Sequence, residues 1–387
     1  MMPTPHGGRL VDRVLSERAR ERYLSEIRDL PKVQPFIDQI YDVEKIAIGA
    51  YSPLEGFMDS ATLDSVLSRS RLPSDLAWSI PIVFAPGEPR AVQALAQVRS
   101  GGDVLLLDDH ERPFAVLHVT ERYRIDRGKL AQSAFGTTDP THPNVADVMS
   151  GGEEAFAGPI DLLRRLDLPA GPLELTPAET REEFRRRGWK HVAAYQCRNP
   201  PHTAHEYLQR NTLERDDVDG LLVQPVVGRL KKGDYRPDVI LAAYKALIKE
   251  YYPPDRVFLS SLSITMRYAG PKAALFFAIV RKNFGCSHYI VGRDQAGVGT
   301  FYDPYACHRV FDDFDVGVVP LRYEETFFCR KCGWMATPKT CAHPVEDHVA
   351  TSQTRIRTAL AKGEPLPMEI IRPEVAKVLQ GTDNVLD

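Results

Sequence analysis

From Met1 to about Leu168, short apolar runs stand between clusters of Gly, Pro and Asp. Ser79–Phe84, Asp103–Leu107 and Phe114–Val119 read as strands, and apolar spacing predicts helices over Leu15–Glu26 and Ala61–Ser68. This is the pattern of a small, mostly β domain. The Pro- and Gly-bearing stretch Asp167–Leu173 reads as a linker, after which the rhythm changes. Strands at His191–Tyr195, Gly220–Gln224, Arg256–Ser260 and His288–Val291 alternate with helices at Ala204–Arg215, Pro237–Tyr251 and Lys272–Phe284. That order predicts a parallel α/β sheet with right-handed crossovers, whose ligands bind beyond the carboxyl ends of the strands. After about Tyr323 the regularity fades into a small C-terminal unit with a helix over Ser352–Lys362, and the polar tail after Pro365 carries no legible pattern. The expected division is 1–168, 169–323 and 324–387, an α/β multidomain protein without internal repeats.

Composition changes this picture little. A chain of 387 residues suggests two or three units, each burying its own core, and 43% hydrophobic with 26% charged residues is ordinary for a globular protein. The net charge of -3 argues against a surface built for nucleic acid, although a local basic pocket still suits one small anion. No apolar run reaches the roughly eighteen residues of a membrane span, and Met1–Arg13 lacks the apolar centre of a signal peptide. The expectation is a cytoplasmic protein without a membrane partner.

The candidate chemistry sits just after the strands. The first strand-to-helix junction reads Gln196-Cys-Arg-Asn-Pro-Pro-His-Thr-Ala-His205, where an anion meets a helix N-terminus. Arg198 offers paired charge-assisted hydrogen bonds, Gln196 and Asn199 offer neutral ones, and His202 and His205 fall on one helical face. The plain alternative is that each histidine caps the helix or fills a core position. After the fourth strand, Gly292-Arg-Asp-Gln-Ala-Gly-Val-Gly299 adds Arg293 and backbone able to approach a phosphate closely. Arg229, Lys231 and Lys232 follow the second strand and Arg267 the third, so all four strand ends are expected to aim charge or glycine at one triphosphate and one oxyanion. No Gly-x4-Gly-Lys-Ser/Thr motif occurs, which excludes a P-loop kinase.

These residues resemble the ATP sulfurylase signature: Gln196-x-Arg-Asn-Pro-x-His-x-x-His205 first, then Gly292-Arg-Asp-x-Ala-Gly297. Pro5–Gly8, Ser52–Met58, Ile80–Val83, Lys232–Asp234 and Met266–Pro271 look like landmarks of the same family, in order, over nearly the whole chain. The resemblance implies a PUA-like N-terminal domain, a Rossmann-like catalytic domain related to HxxH nucleotidyltransferases, and a small C-terminal domain. It implies that sulfate and ATP yield adenosine 5′-phosphosulfate and pyrophosphate, with Mg²⁺ on the ATP. Gln196 and Arg198 would hold sulfate; Asn199, His202, His205 and the loop Gly292, Arg293, Asp294 and Ala296 would hold ATP. Arg198, Asn199, His202 and His205 are the expected catalytic residues, and a homodimer is the simplest assembly. Two positions depart from the family pattern: Cys197 stands where Thr is common, and Gln295 where His is common. A different acceptor is the competing enzymatic reading.

Cys329-x2-Cys332-x8-Cys341 supplies three soft ligands with knuckle spacing, and His343 or His348 completes a tetrahedral, structural zinc site. Between the two, His348 is favoured. Some ATP sulfurylases that this chain resembles carry such a zinc. A zinc-containing nucleic-acid module is disfavoured by the near-neutral charge. Cys286 and Cys307 read as core residues, and Cys197 has no base spaced to activate it.

Overall fold

The computed structural model describes residues 2–26, 29–229 and 233–380. The N-terminal part carries helices α1 (Glu17–Glu26), α2 (Ile37–Ala47), α3 (Ser60–Arg69), α4 (Pro89–Leu95), α5 (Arg127–Phe135) and α6 (Pro143–Ser150). They surround a six-stranded sheet of β1 (Lys32–Val33), β2 (Gly56–Phe57), β3 (Asp103–Leu107), β4 (Pro113–His118), β5 (Glu121–Arg124) and β6 (Glu154–Leu162). The helical share exceeds the mostly β expectation. Ser79–Phe84 is not a strand: Pro81 has no N–H to give a ladder, and only isolated bonds form there, such as Met58 N–H to Ile82 O at 3.0 Å.

The α/β part holds α7 (Pro177–Arg186), β7 (Val192–Tyr195), α8 (Thr203–Leu213), β8 (Gly220–Val223), α9 (Pro237–Tyr251), β9 (Val257–Leu259), α10 (Pro271–Asn283), β10 (His288–Val291), α11 (Ala306–Asp313) and β11 (Val319–Arg322). Its five strands are all parallel, in the order β11-β10-β7-β8-β9. Helices cover both faces, so β7, β8 and β10 are buried at every position, as continuous apolar runs require. The order reverses between β7 and β10, and such a switch point opens a crevice at the strand ends.

A three-stranded sheet of β12 (Phe327–Cys329), β13 (Trp334–Ala336) and β14 (His348–Ala350) follows, then α12 (Gln353–Ala361) and α13 (Pro373–Leu379). The tail that carried no pattern buries Ile370, Ile371, Val375, Ala376 and Leu379 in the same core as α9. β11 was likewise not anticipated.

The first two parts do not bury separate cores. One continuous cluster runs through both, with Phe276 of α10 lying 5.2 Å from Tyr51 and 5.6 Å from Trp78, ring centre to ring centre. Asn283 of α10 donates to the carbonyls of Ala50 and Ser52, each at 3.0 Å. A buried ion cluster bolts the linker down. Lys45 Nζ lies 2.5 Å from Glu44 and 2.9 Å from Glu174, all three without meaningful exposure, while Arg165 donates to Glu44 at 2.7 Å. Lys45→Met removes the cation and leaves two buried carboxylates facing each other. It is expected to destabilise the protein by roughly 3–5 kcal/mol in urea unfolding at neutral pH; an unmoved midpoint would mean that water reaches this cluster.

Candidate active site

At the switch point between β7 and β10 lies a cleft of about 630 Å³. Its walls include Gln196, Arg198, Asn199 and His205 from the segment after β7, Arg293, Asp294 and Ala296 from the loop after β10, and Met266 and Tyr268 after β9. These strand ends are tied to one another. The Val226 N–H donates to Cys197 O at 2.8 Å, and the Gly270 N–H donates to Ala296 O at 3.2 Å. Gly270 needs to be glycine: its φ is +51°, and a Cβ there would sit 2.6 Å from the Tyr302 ring.

Arg198 donates to Asp234 Oδ2 at 2.6 Å, and its guanidinium lies 5.6 Å from the centre of the Tyr268 ring. With its side chain only 21% exposed, it is held at the cleft rather than free to swing. Asn199 Oδ1 accepts from Arg357 Nη2 at 3.2 Å. Arg357 sits on α12, lies over the Tyr235 ring at 4.6 Å and donates to Gly233 O. Glu324, Glu325, Thr326 and Thr351 also line the cleft, so the C-terminal part forms one wall.

His202 is the N-cap residue of α8, but its side chain makes no capping bond. It stacks on His205, ring centres 3.6 Å apart and planes at 20°. The Nδ1 atom of each ring is buried without a partner, which disposes of the capping alternative. Burial pulls the pKa of His205 down to about 3, and burial followed by the proximity of His205 pulls His202 well below its ordinary value. Both rings are therefore neutral at pH 7 in the free protein, as expected for two imidazoles stacked at a helix N-terminus. Cys197 lies 3.8 Å from His205 Nε2, but burial raises its thiol pKa, so it is no activated nucleophile.

In the loop after β10, Asp294 and Ala296 both adopt left-handed backbone, at φ 53° and 57°. For alanine this is a strained conformation, of the kind that concentrates at ligand-binding loops. The Asp294 N–H donates to Pro304 O at 2.7 Å, and the Arg293 side chain faces Glu325 at 3.7 Å.

Two expected cations are elsewhere. Arg267 does not reach the cleft: its Nη2 donates to both carboxylate oxygens of Asp42, at 2.7 and 2.6 Å, because along this segment Met266 and Tyr268 face the cleft and Arg267 faces the N-terminal part. Arg229 pairs with Asp38 at 2.9 Å and Asp147 at 3.1 Å. Both arginines join domains. Lys231 and Lys232 lie outside the described residues.

The sulfur cluster gathers Cys329, Cys332, Cys341 and His343, with ligand atoms within 4.8 Å of one another. The structure groups His343, rather than the expected His348, with the three sulfurs. His343 Nδ1 lies 3.3, 3.3 and 3.6 Å from the three sulfurs, whereas His348 approaches Cys341 alone, at 3.6 Å, and lays its ring on Phe327 at 3.6 Å. The β12–β13 turn sets the knuckle, with the Cys332 N–H donating to Cys329 Sγ at 3.4 Å. Cys286 and Cys307 are buried core residues. Among the described residues, no helix is long and apolar enough to cross a membrane.

Asp234, Tyr289, Gln295 and Arg357 contribute to the site without having been singled out as site residues. Asp234 lay within a quoted landmark and Gln295 was noted as a departure, but Arg357 reads as any charge on an amphipathic helix.

A parallel sheet with two anion-suited loops at its switch point defines a nucleotide-binding α/β protein. Residues 172–382 match the ATP-sulfurylase family and residues 3–165 the PUA-like domain. The sulfate adenylyltransferase of Symbiobacterium thermophilum is 47% identical over 378 residues, 97% of this chain and 95% of that one. Those of Hyperthermus butylicus and Thermococcus onnurineus are 48% and 45% identical, covering 98% of this chain and 96% and 98% of theirs. Among solved structures, the hexameric APS kinase from Thiobacillus denitrificans superposes with a TM-score of 0.76 at 26% identity, over 98% of this chain and 68% of that one. The chain belongs to the ATP sulfurylase family.

Proposed function

We propose that this protein is a sulfate adenylyltransferase, joining sulfate to the α-phosphate of ATP to give adenosine 5′-phosphosulfate and pyrophosphate. The observation that carries this reading is the pairing, at one switch point, of a fixed Arg198 with the neutral His202–His205 stack and the strained Asp294–Ala296 loop. Gln196 and Arg198 bind sulfate, while Asn199, His202, His205 and the segment Gly292, Arg293, Asp294 and Ala296 bind ATP.

Transfer is a direct in-line displacement. A sulfate oxygen attacks the α-phosphorus, the bond to the bridging oxygen breaks, and pyrophosphate leaves with the electron pair. The nearest thiol, Cys197, is held protonated by burial, which favours a mechanism without a covalent intermediate. Catalysis then rests on position and charge: Arg198 offsets the repulsion between two anions, and the unpartnered histidine nitrogens meet phosphate oxygens. Mg²⁺, when bound, neutralises the triphosphate. Asp294 and Glu325 offer carboxylate oxygens along the cleft, which suits a cation that keeps most of its waters. Zn²⁺ on Cys329, Cys332, Cys341 and His343 is structural, a closed set of four protein ligands away from the chemistry. A homodimer is the simplest assembly.

The test is pyrophosphate release from ATP and Mg²⁺, coupled to pyrophosphatase. Release that depends on sulfate supports the reading; ATP binding with no response to sulfate would transfer the site to another acceptor.

A further inference from the structure

A chain of hydrogen bonds crosses the cleft floor from the loop after β10 to the segment after β7, and its polarity is set at one end by a group that has no choice. The backbone N–H of Gly292 can only donate, and it donates to Gln295 Oε1 at 3.2 Å. With its oxygen so engaged, Gln295 turns Nε2 to the Tyr289 hydroxyl, 2.5 Å away. Tyr289 is fully buried on β10, and burial raises its pKa far beyond neutrality, so the hydroxyl keeps its one proton. Its oxygen accepts from Gln295, which leaves that proton for Gln196 Oε1 at 3.5 Å. The Gln196 amide is thereby oriented. Its oxygen faces Tyr289, and its Nε2 faces the cleft side, 4.0 Å from the weakly accepting Met266 sulfur, with protons left to give to an anion.

We propose that Gln295 is a positioning residue, which, through Tyr289, holds the Gln196 amide with its N–H groups towards sulfate and its oxygen away. This rests on the reading of Gln196 as a sulfate ligand. An amide turned the other way would set its N–H groups against the Tyr289 O–H and present an oxygen to a dianion. As an amide, Gln295 passes this polarity from Gly292 to Tyr289 without losing or gaining a proton near neutral pH.

The informative substitution is Gln295→Glu. The carboxylate still accepts from Gly292 but can no longer donate to Tyr289; it accepts the tyrosine O–H hydrogen bond instead, and Gln196 loses the group that oriented it. Initial rates of pyrophosphate release are measured against both substrates. The KM for sulfate is expected to rise by about 10- to 100-fold, the cost of losing a hydrogen bond to a charged group, with a much smaller rise in the KM for ATP. Tyr289→Phe, which introduces no charge, is expected to raise the sulfate KM in the same direction by a smaller factor. In the Tyr289→Phe background, Gln295→Glu adds little if the relay operates, because no tyrosine proton remains to redirect. Gln295→His restores a donor and is expected to return the sulfate KM towards that of the unsubstituted protein.

Gln196→Ala separates the two levels. If it leaves the sulfate KM unchanged, the assignment of Gln196 as a sulfate ligand fails. If it raises that KM while Gln295→Glu and Tyr289→Phe do not, the relay is overturned and the ligand assignment stands. Additive effects of Gln295→Glu and Tyr289→Phe, or an equal rise in the KM for ATP, also overturn the relay, since added charge or a loosened loop then accounts for the result.

Discussion

Arg198→Ala is expected to lower kcat/KM for sulfate by at least about a thousandfold, equivalent to roughly 4 kcal/mol of transition-state stabilisation. Two effects add. The variant loses the cation of the segment after β7 that lines the cleft, and it removes the guanidinium that donates to Asp234 at 2.6 Å, so the local charge becomes more negative where a dianion must enter. Binding of ATP alone, followed by calorimetry, is expected to change far less, because the histidine pair and the Asp294–Ala296 loop remain. The coupled pyrophosphate assay reads the first quantity directly. Retained sulfate-dependent turnover would remove Arg198 from the mechanism, and an equal loss of ATP binding would make it a general anion anchor rather than the sulfate ligand.

The second large effect concerns the sulfur cluster. Purified protein is expected to contain one zinc per chain, and Cys329→Ser or His343→Ala to abolish it, whereas His348→Ala retains it because, of the three sulfurs, the His348 ring approaches Cys341 and otherwise stacks on Phe327. Binding energy at such a site is folding energy, so loss of the metal is expected to lower the thermal midpoint by roughly 5 °C or more. Turnover is expected to fall as well. Glu324, Glu325 and Thr326 lead into β12, and Arg357 follows β14, so the three-stranded sheet that the cluster clamps also carries one wall of the cleft. Metal analysis with melting curves checks this: a metal-free Cys329→Ser protein melting like its parent would leave the cluster as reduced thiols. Metal loss in His348→Ala would restore the ligand preference read from the sequence.

Four of the five strands of the parallel sheet, and the two loops that meet at its switch point, are legible in the chain's local pattern. Strands such as Val192–Tyr195 and His288–Val291 are short apolar runs between turn signals, and the groups after them are dictated locally: a residue that ends a strand must enter the next connection. Local order also sufficed for the cysteine spacing, since β12 and β13 are adjacent in the chain. The rest depends on which way a side chain turns in the packed fold and what lies across from it. Arg267 and Arg198 look alike in sequence, yet one is claimed by Asp42 from a distant helix and the other stays at the cleft. His343 and His348 both follow Cys341 closely in the chain, and it is the stacking of His348 on Phe327, a partner supplied by β12–β14 pairing, that leaves His343 grouped with the three sulfurs. Arg357 and the burial of Ile370 and Ile371 follow from the C-terminal segment folding back on α8 and α9, where Thr203 donates to Ile370 O. The physical reason is common to all of these. Periodicity and spacing record the local rules of the backbone, whereas long-range pairing is a competition among similar side chains that only the packed fold resolves.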